Sequence, residues 1–309
     1  MEQFKHRMTM LPRTIMGYVL RYSGKHQVGL AALAVAVFAL STVPLELQRR
    51  IINDAIKSGA TNSILWLAAA YAGVALAEQG LKLILNVYRG WVSEAAVRRL
   101  RRTLEVSPAG HTDVPGTRVA MMVDEALPIG GFVGMSVSEP VLQGGILASV
   151  IGYMIFLEPY MALLSLAFLA PQVVFVPLMQ GAINRRAEAR IKTIREVSSD
   201  MINTGNAVDA QIERVFSLNM GIYKIKYSMN LLMNLMHYFA VAMALGIGGW
   251  FAVAGRIEVG TVVAVVAGLG KLNDPWGDLV NWGREFSVVG VKYRLFAAAL
   301  AQRTDPRMA

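Results

Sequence analysis

Residues 137–180 read VSEPVLQGGILASVIGYMIFLEPYMALLSLAFLAPQVVFVPLMQ. A helix needs roughly 20 mostly apolar residues to cross about 30 Å of hydrocarbon at about 1.5 Å per residue. This stretch holds two such lengths, 137–157 and 160–180, parted only by Glu158 and Pro159. It reads as a tight transmembrane hairpin. Working outward, 28–48 and 63–87 qualify before it, and 231–254 and 259–280 after it. The last two form another tight hairpin across Gly255, Arg256, Ile257 and Glu258. The expected fold is an all-α integral membrane protein of six transmembrane helices.

Composition agrees with that count. Of 309 residues 55% are hydrophobic, more than a soluble domain of this size needs for one core. The net charge of +9 raises the question of a nucleic-acid partner. The basic residues, however, alternate with long apolar stretches and line no single polar face, so they read as topology signals and no nucleic acid is expected. An inside N-terminus puts 24 of the 30 Lys and Arg on the cytoplasmic side and four outside. Arg49, Arg50 and Lys57 fall on the wrong side, as they would if the first helix runs past the lipid into the headgroup layer. The expected organisation is a cytoplasmic segment 1–27, a membrane domain 28–280 and a cytoplasmic C-terminal helix and tail 281–309. Both termini then face the cytoplasm across a plasma membrane, the inner membrane in a bacterium. The first apolar run lacks a small-residue cleavage site after a short core and reads as a retained span. The absence of cysteine excludes disulfides, thiolate zinc sites and cysteine nucleophiles.

Two connections, 88–136 and 181–230, are each close to fifty residues long, whereas the others are short. Each opens on a helix-like mixture of charged and apolar residues. The first has Arg98, Arg99, Arg101 and Arg102; the second has Arg185, Arg186, Arg190 and Lys192, with Ile191, Ile194, Val197, Met201 and Ile202 at helical spacing. Spans that continue as helices for twenty residues project about 30 Å beyond the bilayer, and a tip that far out has a partner to touch. Ordinary solvated basic loops are the other reading of the same pattern.

Local sequences add to this arrangement. Residues 249–264 run Gly249-Trp-Phe-Ala-Val-Ala-Gly-Arg-Ile-Glu-Val-Gly-Thr-Val-Val-Ala264, and Pro275 follows in the sixth run. Pro44 precedes Arg50-Ile-Ile-Asn-Asp-Ala-Ile56, Asp124 lies in Met121 to Leu127, and Tyr293-Arg-Leu-Phe296 stands near the C-terminus. Taken in order along the chain, and over essentially its whole length, they resemble the transmembrane domain of type I ABC exporters.

That resemblance implies a six-helix unit that pairs as a homodimer, or as a heterodimer with a related chain, into a pore that exports a hydrophobic or amphipathic substrate by alternating access. It also implies coupling helices near Leu104 to Gly116 and Asn203 to Phe216, with His111, Asp113, Gly205, Val208, Asp209, Ile212 and Phe216 as the candidate contacts. The first departs from the family pattern, because Ser107-Pro-Ala-Gly-His-Thr-Asp-Val-Pro-Gly116 is rich in helix breakers. A P-loop is missing. Gly24-Lys25 is followed by His26, and Gly270-Lys271 by Leu272, where the motif needs Ser or Thr. Some 29 residues after the sixth run are too few for a nucleotide-binding domain. The expectation is a non-enzymatic subunit without a cofactor of its own, driven by an ABC ATPase in trans that binds ATP and magnesium. A motor-less domain acting as an assembly or regulatory partner, and a truncated exporter fragment, are the alternatives. An intramembrane enzyme finds no paired histidine ligands or Ser-base motif.

Ionisable groups at membrane depth are functional candidates. Glu78 and Lys82, four residues apart, form either a self-neutralising pair or a substrate contact. Lys271, Asn273 and Asp274 precede Pro275, where a bend beside charges suits a cavity, although Lys271 pairing with Asp274 or Asp278 accounts for them equally. Small-residue steps at Ala69, Gly73 and Ala77, and at Gly144, Ala148 and Gly152, read as helix packing. Met229, Met233, Met236 and Met243 read as a lipid-facing stripe or an adaptable greasy surface. His237 alone, and His111 with Asp113, approach no metal site. Trp66, Trp91, Trp250, Trp276 and Trp282 fall near span ends as interfacial anchors.

Overall fold

The structure is a computed structural model that describes residues 11–56, 59, 61–106, 126–203 and 209–304. Among these residues every regular element is helical. In order they are α1 (Ile15–Ser41), α2 (Val43–Arg50), a π-helical turn (Ile51–Ile56), α3 (Thr61–Val106), α4 (Ala126–Met135) and α5 (Ser138–Leu157). Then come α6 (Pro159–Leu169), α7 (Gln172–Asn203), α8 (Asp209–Val253), α9 (Val259–Gly270) and α10 (Asn273–Thr304). Among the described residues five stretches are long and apolar enough to cross a membrane: Ile15–Asp54, Thr61–Glu105, Ser138–Leu157, Pro159–Arg190 and Asp209–Val253. Only 6% of the most apolar part of Thr61–Glu105 is buried inside the chain, so this surface has lipid or further protein as its solvent. The coarse expectation of a multi-pass helical membrane protein holds.

Runs 28–48 and 160–180 are each interrupted, at Thr42 and at Ala170–Pro171, yet lie within those five stretches; run 259–280 does not. Residues 259–280 do not form one helix, because α9 stops at Gly270 and α10 begins at Asn273. Pro275 is the physical reason. It has no N–H to donate to the Lys271 carbonyl, and its ring would press on that carbonyl, so the helix restarts with Pro275 in its first turn, where no donor is required. The expected bend is therefore a break a few residues upstream of the proline. At the other end, α1 begins at Ile15, well before the apolar run, because the Thr14 hydroxyl caps it by accepting from the Gly17 amide at 3.1 Å.

The chain divides into two compact units, Met1–Tyr153 with Asp274–Ala309, and Met154–Asn273. In the first, α3 packs along α4 and α1. The approach to α4 is close: a Cβ at Gly130 would collide with Val97, and one at Gly134 with the Arg89 carbonyl. Gly145 likewise seats the Phe38 ring. Gln27 binds across helices, donating to the Val133 carbonyl at 2.8 Å. In the second unit α8 packs against α6, α7 and α9. Phe168 meets Phe239, Gln172 donates to the Met233 carbonyl, Gly221 faces Arg186, and Arg190 donates to Asn219. From Phe168 on α6 through Gln172, Arg186 and Arg190 on α7, the partners on α8 step back from Phe239 to Asn219, so α7 and α8 run as one antiparallel hairpin. Gly248 provides the close contact there, against Met161 and Val262.

Among the described residues the small-residue steps expected to pack meet no neighbouring helix of this chain. Ala69, Ala77 and Ala148 are exposed, and nothing lies within 4 Å of a Cβ placed at Gly73, Gly144 or Gly152. Close approach is made instead at Gly130, Gly134, Gly145 and Gly248, whose neighbours are fixed by tertiary structure and not by spacing along one helix.

Candidate functional site

Glu78 and Lys82 meet as an ion pair at 2.7 Å, with Glu78 buried. The pair lies on one face of α3, as four-residue spacing dictates. Lys271, Asn273 and Asp274 sit at the α9–α10 break. Lys271 caps α9 with its amide on the Gly268 carbonyl, and Asn273 and Asp274 open α10, where the helix dipole favours a carboxylate.

The first unit also holds a polar cluster around Arg89 that the sequence did not single out. Arg89 on α3 donates from Nε to the Ser138 hydroxyl at 2.8 Å and from Nη1 to Glu139 at 2.6 Å. Gln143, one turn further along α5, donates to Glu139 at 2.8 Å and to Asp278 on α10 at 3.0 Å. Ser138 in turn donates to the Gly134 carbonyl at 3.1 Å. Three helices are thereby tied at the level where the second, third and sixth apolar runs end. Arg89 and Glu139 are almost fully buried, and Arg89 Nη2 has no hydrogen-bond partner among the described residues. A buried ion pair is held by its hydrogen bonds more than by its charge, since desolvation offsets much of the Coulomb gain. The cluster therefore specifies how these helices meet. Arg89 reads in sequence as a boundary arginine, and only Glu139 at a span start, with Gln143 four residues on, hinted at a partner.

A second polar layer lies toward the opposite end of the second and third runs, where the continuation of the first meets them. Glu46 receives Arg49 at 2.8 Å, Arg50 at 2.6 Å and the Tyr153 hydroxyl at 2.7 Å. Gln48 donates to the Tyr71 hydroxyl at 3.3 Å. The two arginines that violated the charge rule thus share one carboxylate, and α2 with the π-helical turn carries them as a continuation of the first span.

Of the residues expected to couple to a motor, His111, Asp113, Gly205 and Val208 lie outside the described residues, as do most of Leu104–Gly116 and Asp124. Asp209, Ile212 and Phe216 stand exposed on the first turns of α8. Ile212 and Phe216 are 58% and 57% exposed, and Met220, Tyr223 and Tyr227 continue the exposed row at spacings of three and four. This spacing puts them on one face. Tyr223 and Tyr227 stack with ring centroids 6.2 Å apart. Among the described residues no group of His, Asp or Glu could hold a metal ion.

Compared with models of known protein families and with curated proteins, the chain matches none.

Proposed function

We propose that this chain is the membrane-spanning subunit of an ATP-driven transporter of the type I ABC exporter kind, moving a hydrophobic or amphipathic substrate by alternating access and driven by an ATPase on another polypeptide. The observation that supports it best is the exposed row from Ile212 to Tyr227 on a helix that outruns its span. At about 1.5 Å per residue, the 45 residues of α8 extend for roughly 68 Å, about twice the hydrocarbon thickness. An apolar face on the part beyond the lipid has protein as its natural cover. Nucleotide binding can drive helices only through such contacts, by its different affinity for two arrangements of the membrane unit.

The direct test is to purify the full chain from its host's membranes and identify what comes with it. A P-loop ATPase is expected, and Ile212→Asp with Phe216→Asp should reduce its recovery at least tenfold while the chain remains monodisperse. Recovery of a membrane protein without a P-loop would instead support the assembly-partner reading, which the breaker-rich segment Ser107 to Gly116 favours. An ATPase that binds the double variant as well as the wild type would remove the coupling role from α8.

A further inference from the structure

The first unit contains an aromatic-walled chamber. It has a volume of about 530 Å³ and lies between the start of α1 and the part of α3 beyond the second span. Tyr18, Tyr22, His26 and Trp91 form its aromatic wall, with Val92 and Ala96 beneath. That wall is fixed: His26 Nδ1 and the Tyr88 hydroxyl are 2.8 Å apart, and Trp91 meets the His26 ring edge-on at 5.1 Å. Arg98, Arg99 and Arg102 line the chamber as well, all three exposed. No Asp or Glu is among its described lining residues.

The arginines are the informative part. At helix spacings of one, three and four residues they form a single cluster of like charge, which is destabilising on an isolated helix. Arg99 is partly compensated by lying over the Tyr22 ring at 4.7 Å. Among the described residues Arg98 and Arg102 have no carboxylate on them. A guanidinium cluster at the rim of a mostly apolar chamber is complementary to a molecule with an anionic head and an apolar body. The location fits, since His26 lies just before the first apolar run and Trp91 just after the second, and the arginines lie two to three turns further along α3.

We infer that this chamber binds an amphipathic anion of the lipid class, with its phosphate or carboxylate head on Arg98, Arg99 and Arg102 and its chain against Tyr18, Tyr22 and Trp91. The site requires a membrane setting but no ATPase, so it stands or falls apart from the function proposed above.

The test uses the full chain in amphipol and three probes: dodecyl phosphate, dodecylphosphocholine and inorganic phosphate, with affinities measured by thermophoresis. Dodecyl phosphate should bind at least tenfold more tightly than either of the others. Arg98→Gln with Arg102→Gln should remove most of that preference, while dodecylphosphocholine binding stays as it was. Ala95→Trp, which fills the chamber from α3, should weaken dodecyl phosphate without touching the arginines. Equal binding of the two detergents would overturn the proposal, as would inorganic phosphate binding as well as dodecyl phosphate, or an undiminished preference in the arginine variant. The comparison of probes on the wild-type chain needs no variant to fold.

Discussion

Arg89 and Glu139, fifty positions apart on α3 and α5, meet at 2.6 Å with both side chains almost removed from solvent. Removing one partner from such a pair strands the other, at a cost of about 3–5 kcal/mol, whereas replacing both by apolar groups is often close to neutral. Arg89→Leu should therefore destabilise the chain by roughly that amount. The double variant with Glu139→Leu should recover much of the loss, because Gln143 can still satisfy Asp278. Thermal denaturation in detergent, run as a double-mutant cycle, measures the difference. Equal losses in the single and double variants would mean that the pair does not organise these helices.

A contrast among glycines checks the packing of the first unit. Alanine at Gly130 or Gly134 places a methyl against Val97 or the Arg89 carbonyl, both held by α3, and should cost about 1–3 kcal/mol. Alanine at Gly144 or Gly152 meets nothing within 4 Å and should be neutral or slightly stabilising, by at most about 1 kcal/mol of helix propensity. The same denaturation assay on the four variants separates the two groups.

What the sequence made legible follows from which forces are local. Hydropathy averaged over twenty residues finds 63–87, 137–157 and 231–254 on the apolar helices α3, α5 and α8, because lipid burial acts on a whole helix at once, whereas 160–180 is divided between α6 and α7. It misses the break at Lys271, because the surrounding Gly, Val and Ala keep the average high while Pro275 acts through a single hydrogen bond. It also misses the start of α1, whose Ser23 and Gln27 look polar but are buried; Gln27 bonds to the Val133 carbonyl, more than a hundred residues away. The Glu78–Lys82 pair was readable because both partners sit on one helix. The Arg89 cluster was not, since its four other members come from two other helices and no periodicity along α3 announces them. The small-residue steps show the same limit: spacing reveals that a face is smooth, but not whether it meets a neighbour within the chain.

Tyr293 on α10 is fully buried, and its hydroxyl donates to the Pro12 carbonyl at 2.8 Å, tying the segment before α1 to the far end of the chain. Its ring lies against Tyr18, with centroids 5.6 Å apart. Burial, reinforced by the neighbouring Tyr18 and Tyr22, pushes the Tyr293 phenol above its ordinary value near 10.0. The folded chain therefore holds this proton more tightly than the unfolded chain does. Its contribution is fully present below the unfolded value and is lost as pH rises from there toward the folded value. Stability should thus be insensitive to this group at neutral pH and fall progressively above about pH 10. Tyr293→Phe removes the hydrogen bond, costing about 1 kcal/mol at neutral pH, and should flatten the alkaline fall. Melting temperatures of the two proteins between pH 7 and 11 test this; parallel curves would assign the alkaline loss to other groups.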